Sequence, residues 1–411
     1  MHFEPMVDLR RIFALTSILS LTIVYGVLWA QWMTTPEQYL SSDFIGLYAA
    51  GRTAANEGPS QVYNLVIQQR YQAEVLGADI PQGELYLFAH PPFSILLPRL
   101  IVTSNFVQSF MLWDALMMVF LLLGLIPIAS VVKGNGFSRL EWFVLISGII
   151  LFFPAFESLV IGQDSAFLYL GLCIWMYGIL SERDEAAGLG LSLAAIRPHI
   201  ALLLAVPFLF KRRKVWWYFT LGCLGLGLFS LAYAGFDGIV GFLRTLFLSG
   251  SGAGYQLNEG SMVNVVALLL RLFPFLSVDA IHLDGWVLYF LALAGLCFFW
   301  LRSDRIGEKQ IGVAVLVSVF AAPHLHFHDL VALIVPLVGL MSVLLRERYW
   351  AARDVVLLPL AFSIPLLANL SAHFSLWGTF YFAELLLLFG LMFPHRFGFR
   401  RRVWDVLNIT R

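Results

Sequence analysis

Charge is scarce in this sequence. Of 411 residues, 13% are Asp, Glu, Lys or Arg, about half the ~25% of an ordinary soluble chain. The 26 basic and 26 acidic side chains cancel, which removes any electrostatic case for nucleic acid as a partner. Cysteine is as sparse. Cys173, Cys223 and Cys297 each sit inside an apolar run, at no spacing that fits a redox or metal pair, and read as small buried side chains. The apolar runs are continuous rather than alternating, which argues against a membrane β-barrel. No small-residue cleavage pattern follows the first apolar run, so it reads as a retained membrane helix rather than a signal peptide.

What is present is apolar: 60% of the chain is hydrophobic. Runs near 20 residues recur along its whole length, which predicts an all-α polytopic membrane protein, one integral membrane domain over residues 1–411. About ten full transmembrane helices are predicted, near 12–30, 107–132, 142–160, 166–181, 215–236, 284–301, 309–323, 329–345, 355–371 and 377–393. Residues 187–210 resemble an eleventh, but charge argues otherwise. With the N-terminus cytoplasmic, the loops at Lys133–Arg139, Arg183, "KRRK" 211–214, Arg302–Lys309 and Arg346–Arg353 and the C-terminal tail are also cytoplasmic. With Arg10 and Arg11 they hold 20 of the 26 Lys and Arg residues. One crossing by 187–210 would export "KRRK". A re-entrant hairpin that enters and leaves on the cytoplasmic side removes the conflict, and Arg197-Pro198 supplies its turn. Broken backbone at membrane depth must be buried in protein or line a cavity.

The opposite, external face then collects four segments: residues 31–106, "ESLVIGQDS" 157–165, "SGSGAGYQLNEGSMVN" 249–264 and "APHLHFHD" 322–329. The 31–106 loop is too long for a connector. Its stretches "SSDFIGLYAAGRTAANEG" and "NLVIQQRYQAEVLG" read as amphipathic helices lying on the bilayer surface.

These segments carry the candidate chemistry. Asp43 is either a helix N-cap or a general base that takes a proton from an attacking hydroxyl. Arg197 either snorkels or, deep in an apolar hairpin, needs an anion; a lipid phosphate fits its planar fork of donors. His199 lies beside it. His324, His326, His328 and Asp329 offer phosphate or hydroxyl contacts, with metal ligation or interfacial packing as alternatives. On a helix His324 and His328 would share a face and His326 would not, and no second ligand set accompanies them, so no metal is assigned. Gln163 and Asp164 either cap a helix or bind sugar hydroxyls, and Gln256, Asn258 and Glu259 present the same choice between a solvated loop and sugar contacts.

The succession Asp43-Phe44, Tyr48-x-Ala50, Gly58 and Tyr63 resembles the first external loop of glycosyltransferase family 87. These membrane-embedded enzymes of the GT-C fold include bacterial polyprenol-phosphate-mannose-dependent mannosyltransferases. "AHPPF" 89–93, with His90, matches the family's proline-rich segment, "GQDS" 162–165 its Gly-Gln-Asn, "IRPH" 196–199 its Lys-Pro, and "HFHDLVALIVP" 326–336 its late His/Tyr-Asp-Leu motif. Arg197 stands where Lys is more usual, and Asp164 where an amide is commoner.

The resemblance implies a bacterial cytoplasmic-membrane enzyme with Asp43 as catalytic base. Arg197, His199, His324 and His328 would meet the donor phosphate. His90, Gln163, Asp164, Gln256, Asn258, Glu259, His326 and Asp329 would contact substrate. The partners would be a polyprenyl-phosphate-sugar donor, a glycolipid or glycan acceptor and membrane lipids, with no cofactor. The competing readings are a transporter or flippase, whose paired broken helices are missing here, and an inactive scaffold, which would have no use for Asp43, Arg197 and the histidines.

Overall fold

The computed structural model describes residues 9–40, 42–133, 139–250, 262–347, 352–370 and 377–392. Helices α1 (Leu9–Thr34), α2 (Pro36–Leu40), α3 (Phe44–Asn56) and α4 (Leu65–Leu76) lead to α5 (Leu96–Ile101) and the long α6 (Phe106–Val132). Next, α7 (Arg139–Ile150) and α8 (Phe153–Val160) are bent by 41° at their junction. They are followed by α9 (Ser165–Leu180), α10 (Asp184–Leu193), α11 (Pro198–Ala205) and α12 (Arg213–Gly250). The remainder is α13 (Val265–Leu272), α14 (Val278–Arg302), α15 (Glu308–Ala321), α16 (Ile334–Glu347), α17 (Ala352–Leu370) and α18 (Trp377–Met392). Among the described residues there is no strand, only an isolated bridge between Met262 and His326. Asn64, Asn105, Asn264 and Ser277 start α4, α6, α13 and α14 by accepting a backbone N–H of the first turn.

Helix forms at each of the ten predicted spans. Among the described residues four helices are long and apolar enough to cross a bilayer, α1 (over Leu15–Thr34), α6, α12 and α14, or five with the bent α7–α8 pair. Their outward faces are apolar: Leu19, Ile23 and Val27 on α1, Leu221, Leu224 and Leu228 on α12, and Leu283, Phe290 and Leu291 on α14 are all exposed. Such a belt is a lipid-facing surface. The remaining predicted spans fall on shorter helices. α9 has 16 residues and α15 has 14, and both are apolar all round because they are enclosed by other helices. Composition alone does not separate that case from a span. The span predicted at 215–236 runs on to Gly250, past a non-helical Gly235 at φ 69°.

The segment 187–210 folds back on itself. α10 packs along α9, a 3-10 turn (Ala194–Ile196) reaches Arg197, and α11 returns. The two ends of the segment meet, since Arg212 Nε donates to Asp184 Oδ1 at 2.8 Å. Glycines allow this. A Cβ on Gly178 would lie 2.3 Å from the Ala187 backbone N, and one on Gly190 2.5 Å from that of Trp175. Small residues let helix backbones approach this closely.

The pair of surface helices predicted in 31–106 is corrected. α3 is buried on nearly every side, from Phe44 through Ala54, and Gly46 and Gly51 press against the carbonyls of Tyr86 and Pro98. α4 turns glutamines inward: Gln68 and Gln72 are fully buried, while Val66 is 70% exposed. Gln72 donates to Tyr86 O at 2.8 Å and accepts from Tyr86 N at 3.1 Å, and Gln68 accepts from Phe88 N at 3.3 Å. Buried amides thus satisfy an extended segment as a neighbouring strand would, and that segment carries His90.

Gly178→Ala is expected to lower the melting temperature in detergent, because the methyl meets backbone that cannot yield; overpacking costs about 1–3 kcal/mol. Gly225, with nothing within 4 Å of its Cβ position, is the control. Gly225→Ala should leave the melting temperature unchanged or raise it, and equal behaviour of the two variants in scanning fluorimetry would refute the close-packing account.

Candidate active site

Chain segments far apart in sequence meet where α9 begins. The turn between α8 and α9 is built on Gly162, whose φ of +70° favours glycine and whose Cβ would lie 2.5 Å from that of Phe44. That contact seats the start of α3 on the turn: Phe44 N donates to Ile161 O at 3.1 Å, and the Phe44 ring packs on Phe106, Phe110 and Trp113. Asp43, immediately before, occupies the N-cap position of α3 but makes no capping bond with its side chain. Its Oδ2 instead accepts from Gln163 Nε2 at 2.7 Å.

Asp164, next in the turn, is likewise no cap. It is 3% exposed, and its Oδ1 lies 2.9 Å from Arg197 Nη2 and its Oδ2 2.9 Å from His90 Nδ1. Arg197 Nε donates to Asp329 at 3.1 Å (Oδ1) and 3.0 Å (Oδ2), and Ser165 Oγ donates to Asp329 Oδ1 at 2.7 Å. The anion that Arg197 was expected to find in a lipid phosphate is therefore supplied from within the chain, by two buried carboxylates. A guanidinium 9% exposed must be paired, and both partners are placed to pair it. Burial raises the pKa of Asp164, but Arg197 and His90 beside it outweigh that effect and hold it well below the usual carboxylate range.

The histidine run is not a helix. Residues 322–326 are irregular, and Met262–Val263 lies against Leu325–His326, with Val263 N donating to Leu325 O at 3.0 Å. Side chains two apart then share a side, as along a strand. The His324 and His326 rings are 4.8 Å apart, and those of His326 and His328 5.7 Å. Burial pushes His324 down to about 4, although part of its surface is open, and also lowers His326; both are neutral imidazoles at neutral pH. His328 Nε2 stands 3.8 Å from Asp329 Oδ2. The His199 backbone carbonyl accepts from Tyr289 at 2.9 Å, and the ring nitrogen Nε2 is buried with no hydrogen-bond partner among the described residues.

Asp43, His90, Gln163, Asp164, Arg197 and Asp329 thus form two adjoining contact groups, and the histidines 324–328 border the second. Gln256, Asn258 and Glu259 lie outside the described residues. Sequence reasoning missed Glu157 of α8, which feels the charge of Asp43 and stands shortly before the "GQDS" motif, the one available signal; Ser165 is the last residue of that motif. A cleft of about 770 Å³ lies elsewhere, between Val131, Leu180 and residues 304–310, at the opposite end of α9.

Arg197→Met should destabilise the protein by about 3–5 kcal/mol, since it leaves two buried carboxylates unpaired. Adding Asp164→Asn and Asp329→Asn should recover part of that loss, and a triple variant no more stable than the single one would count against the ion network. The pH dependence has a defined sign. An unfolded chain protonates His324 near 6.5, whereas the folded chain waits until about 4. The folded state therefore binds fewer protons in between and loses stability as pH falls through that window. Asp164, depressed in the same sense, extends the loss below the ordinary carboxylate pKa. Thermal melts from pH 7.5 to 4 should therefore show a smaller loss of stability on acidification in His324→Gln than in wild type.

A family model described as glycosyltransferase family 87 matches residues 88–323, more than half of the chain. The match contains His90, Gln163, Asp164 and Arg197, whereas Asp43 and Asp329 flank it. Searches of curated proteins and of solved structures return no match. By its sequence match and its helical, apolar fold, the chain belongs to glycosyltransferase family 87.

Proposed function

We propose that the protein is an inverting glycosyltransferase that moves a sugar, mannose in the first instance, from a polyprenyl-phosphate donor to a hydroxyl of a glycolipid or glycan. The observation that carries this reading is the Asp43 carboxylate, turned away from its own helix and held at 2.7 Å by Gln163, in a chain of a glycosyltransferase family. In the reaction the acceptor oxygen attacks the anomeric carbon and its proton passes to Asp43. The bond from that carbon to the phosphate oxygen breaks, and its electron pair leaves on polyprenyl phosphate. General-base help of this kind is worth about 10²–10⁴ in rate.

The phosphate needs donors. Arg197 faces two carboxylates, so it carries no surplus positive charge to offer. The imidazoles of partly exposed His324 and of buried His328 remain as N–H donors, with Arg197 fixing Asp329 beside them. We place the reaction at the external face of a bacterial cytoplasmic membrane, with both termini cytoplasmic, because the described loops rich in Lys and Arg at 181–184, 211–214 and 302–309 meet at the other end of α9. There Lys211 contacts the carbonyls of Ser303 and Asp304, and Arg212 pairs with Asp184. The lipid-linked donor would serve as co-substrate, with no cofactor.

The test uses wild type and Asp43→Asn in the same lipid, with labelled polyprenyl-phosphate-mannose and a membrane lipid extract as acceptor. Wild type should transfer label and release polyprenyl phosphate, and Asp43→Asn should lose about 10²-fold or more at unchanged melting temperature. Equal rates would remove Asp43 as the base. A wild type silent with mannose and with other polyprenyl-linked sugars would remove the donor class.

A further inference from the structure

We infer that Gln163 is the positioning residue of the base: its amide N–H pins one oxygen of Asp43, and its carbonyl receives a second hydroxyl of the acceptor. The inference rests on the transferase reading and adds a substrate class to it.

The orientation of the amide follows from chemistry. A carboxylate only accepts hydrogen bonds, so the Gln163 nitrogen must face Asp43 and its oxygen must face away. That oxygen, Oε1, is buried and has no hydrogen-bond partner among the described residues. A buried acceptor left without a donor costs about 1–3 kcal/mol, and native structures rarely leave one so. The backbone that carries it is fixed. Gln163 N donates to Ser158 O at 2.8 Å, Gly162 before it is locked against Phe44, and Asp164 after it is held by Arg197 and His90. The chain is therefore built to hold an acceptor atom where it offers no donor of its own.

The same contact divides the two oxygens of Asp43. Oδ2 takes the Gln163 N–H, and Oδ1 makes no hydrogen bond among the described residues. Oδ1 is thus the atom that receives the proton, and Oε1 of Gln163 lies on the far side of the same amide. A ligand satisfying both presents two neighbouring hydroxyls, one attacking and one donating to Gln163. That describes a sugar or another polyol rather than a lone serine or threonine hydroxyl. The other titratable groups that feel the Asp43 charge are Tyr86 beside α3, Glu157 on α8 and His328.

The experiment compares wild type, Gln163→Leu and Gln163→Glu in one lipid, with labelled polyprenyl-phosphate-mannose and membrane lipid extract, from pH 5 to 9. Gln163→Leu should lower kcat about 10–100-fold, a fraction of a general base's worth. It should also raise the acceptor KM and leave the donor KM unchanged. Gln163→Glu sets two carboxylates together at high pH and should be the slower variant there. It should regain rate as pH falls, when the introduced carboxyl takes a proton and again offers a donor to Asp43. A side chain that only supports the fold would give a Gln163→Glu profile parallel to wild type. A parallel profile, or a Gln163→Leu enzyme with wild-type kcat and acceptor KM, overturns the inference alone. A wild type without transfer overturns the transferase reading and the inference with it.

Discussion

One buried cation organises this molecule. Arg197 stands at the tip of an apolar hairpin with 9% of its surface exposed, where an unpaired guanidinium would not be tolerated. Its two carboxylates come from the α8–α9 turn and from the segment after α15, the second of them 132 residues away. The hairpin can therefore sit in the helical bundle in one register only, with its tip at the start of α9. That register brings the backbones of α9 and α10 close enough to require Gly171, Gly178 and Gly190 along their contact. The ion network and the glycines express one constraint, since moving either by a helical turn would leave a charge unpaired or a backbone clashing. A buried ion pair is a weak source of net stability and a stronger source of specificity, and specificity is what the hairpin needs.

Much of this was legible in the sequence because it rests on local chemistry. Arg197-Pro198 announces a break, and the distribution of Lys and Arg requires the segment to return, as it does at Arg212 and Asp184. Asp43, "GQDS" and "HFHD" could be singled out because charged and amide groups are few in so apolar a chain. The pairing of these groups was not legible. Asp43 and Gln163 are 120 residues apart, and nothing in one sequence links them, or links Arg197 to Asp329 rather than to a ligand. The small residues of α3, Gly46, Ala49, Ala50 and Gly51, mark close backbone approach in the sequence, but not that the helix is covered on nearly every side. The inward glutamines of α4 were missed because a polar face normally means water, but here it means a backbone to be satisfied. The number of full spans was not legible either, because a helix enclosed by protein and one enclosed by lipid have the same composition.

Proton transfer needs a base fixed to a fraction of an ångström relative to its substrate, yet the proposed base, Asp43, lies in a junction between helices, where chains are ordinarily loose. The structure resolves this by seating the junction on the turn that the ion network holds. Phe44, next to Asp43, is hydrogen-bonded to Ile161 and packed on Gly162 and three aromatic rings of α6. Gln163, next to Asp164, reaches the carboxylate itself. The base is thus held by a backbone bond, a packing contact and a side-chain bond to one four-residue turn, which is anchored in turn through Asp164 to Arg197. A charge buried for structural reasons becomes the reference point for the candidate chemistry. Asp164 therefore suits this position better than the commoner amide: beside Arg197 an amide would leave the guanidinium with one carboxylate, and the turn beneath Asp43 with a weaker anchor.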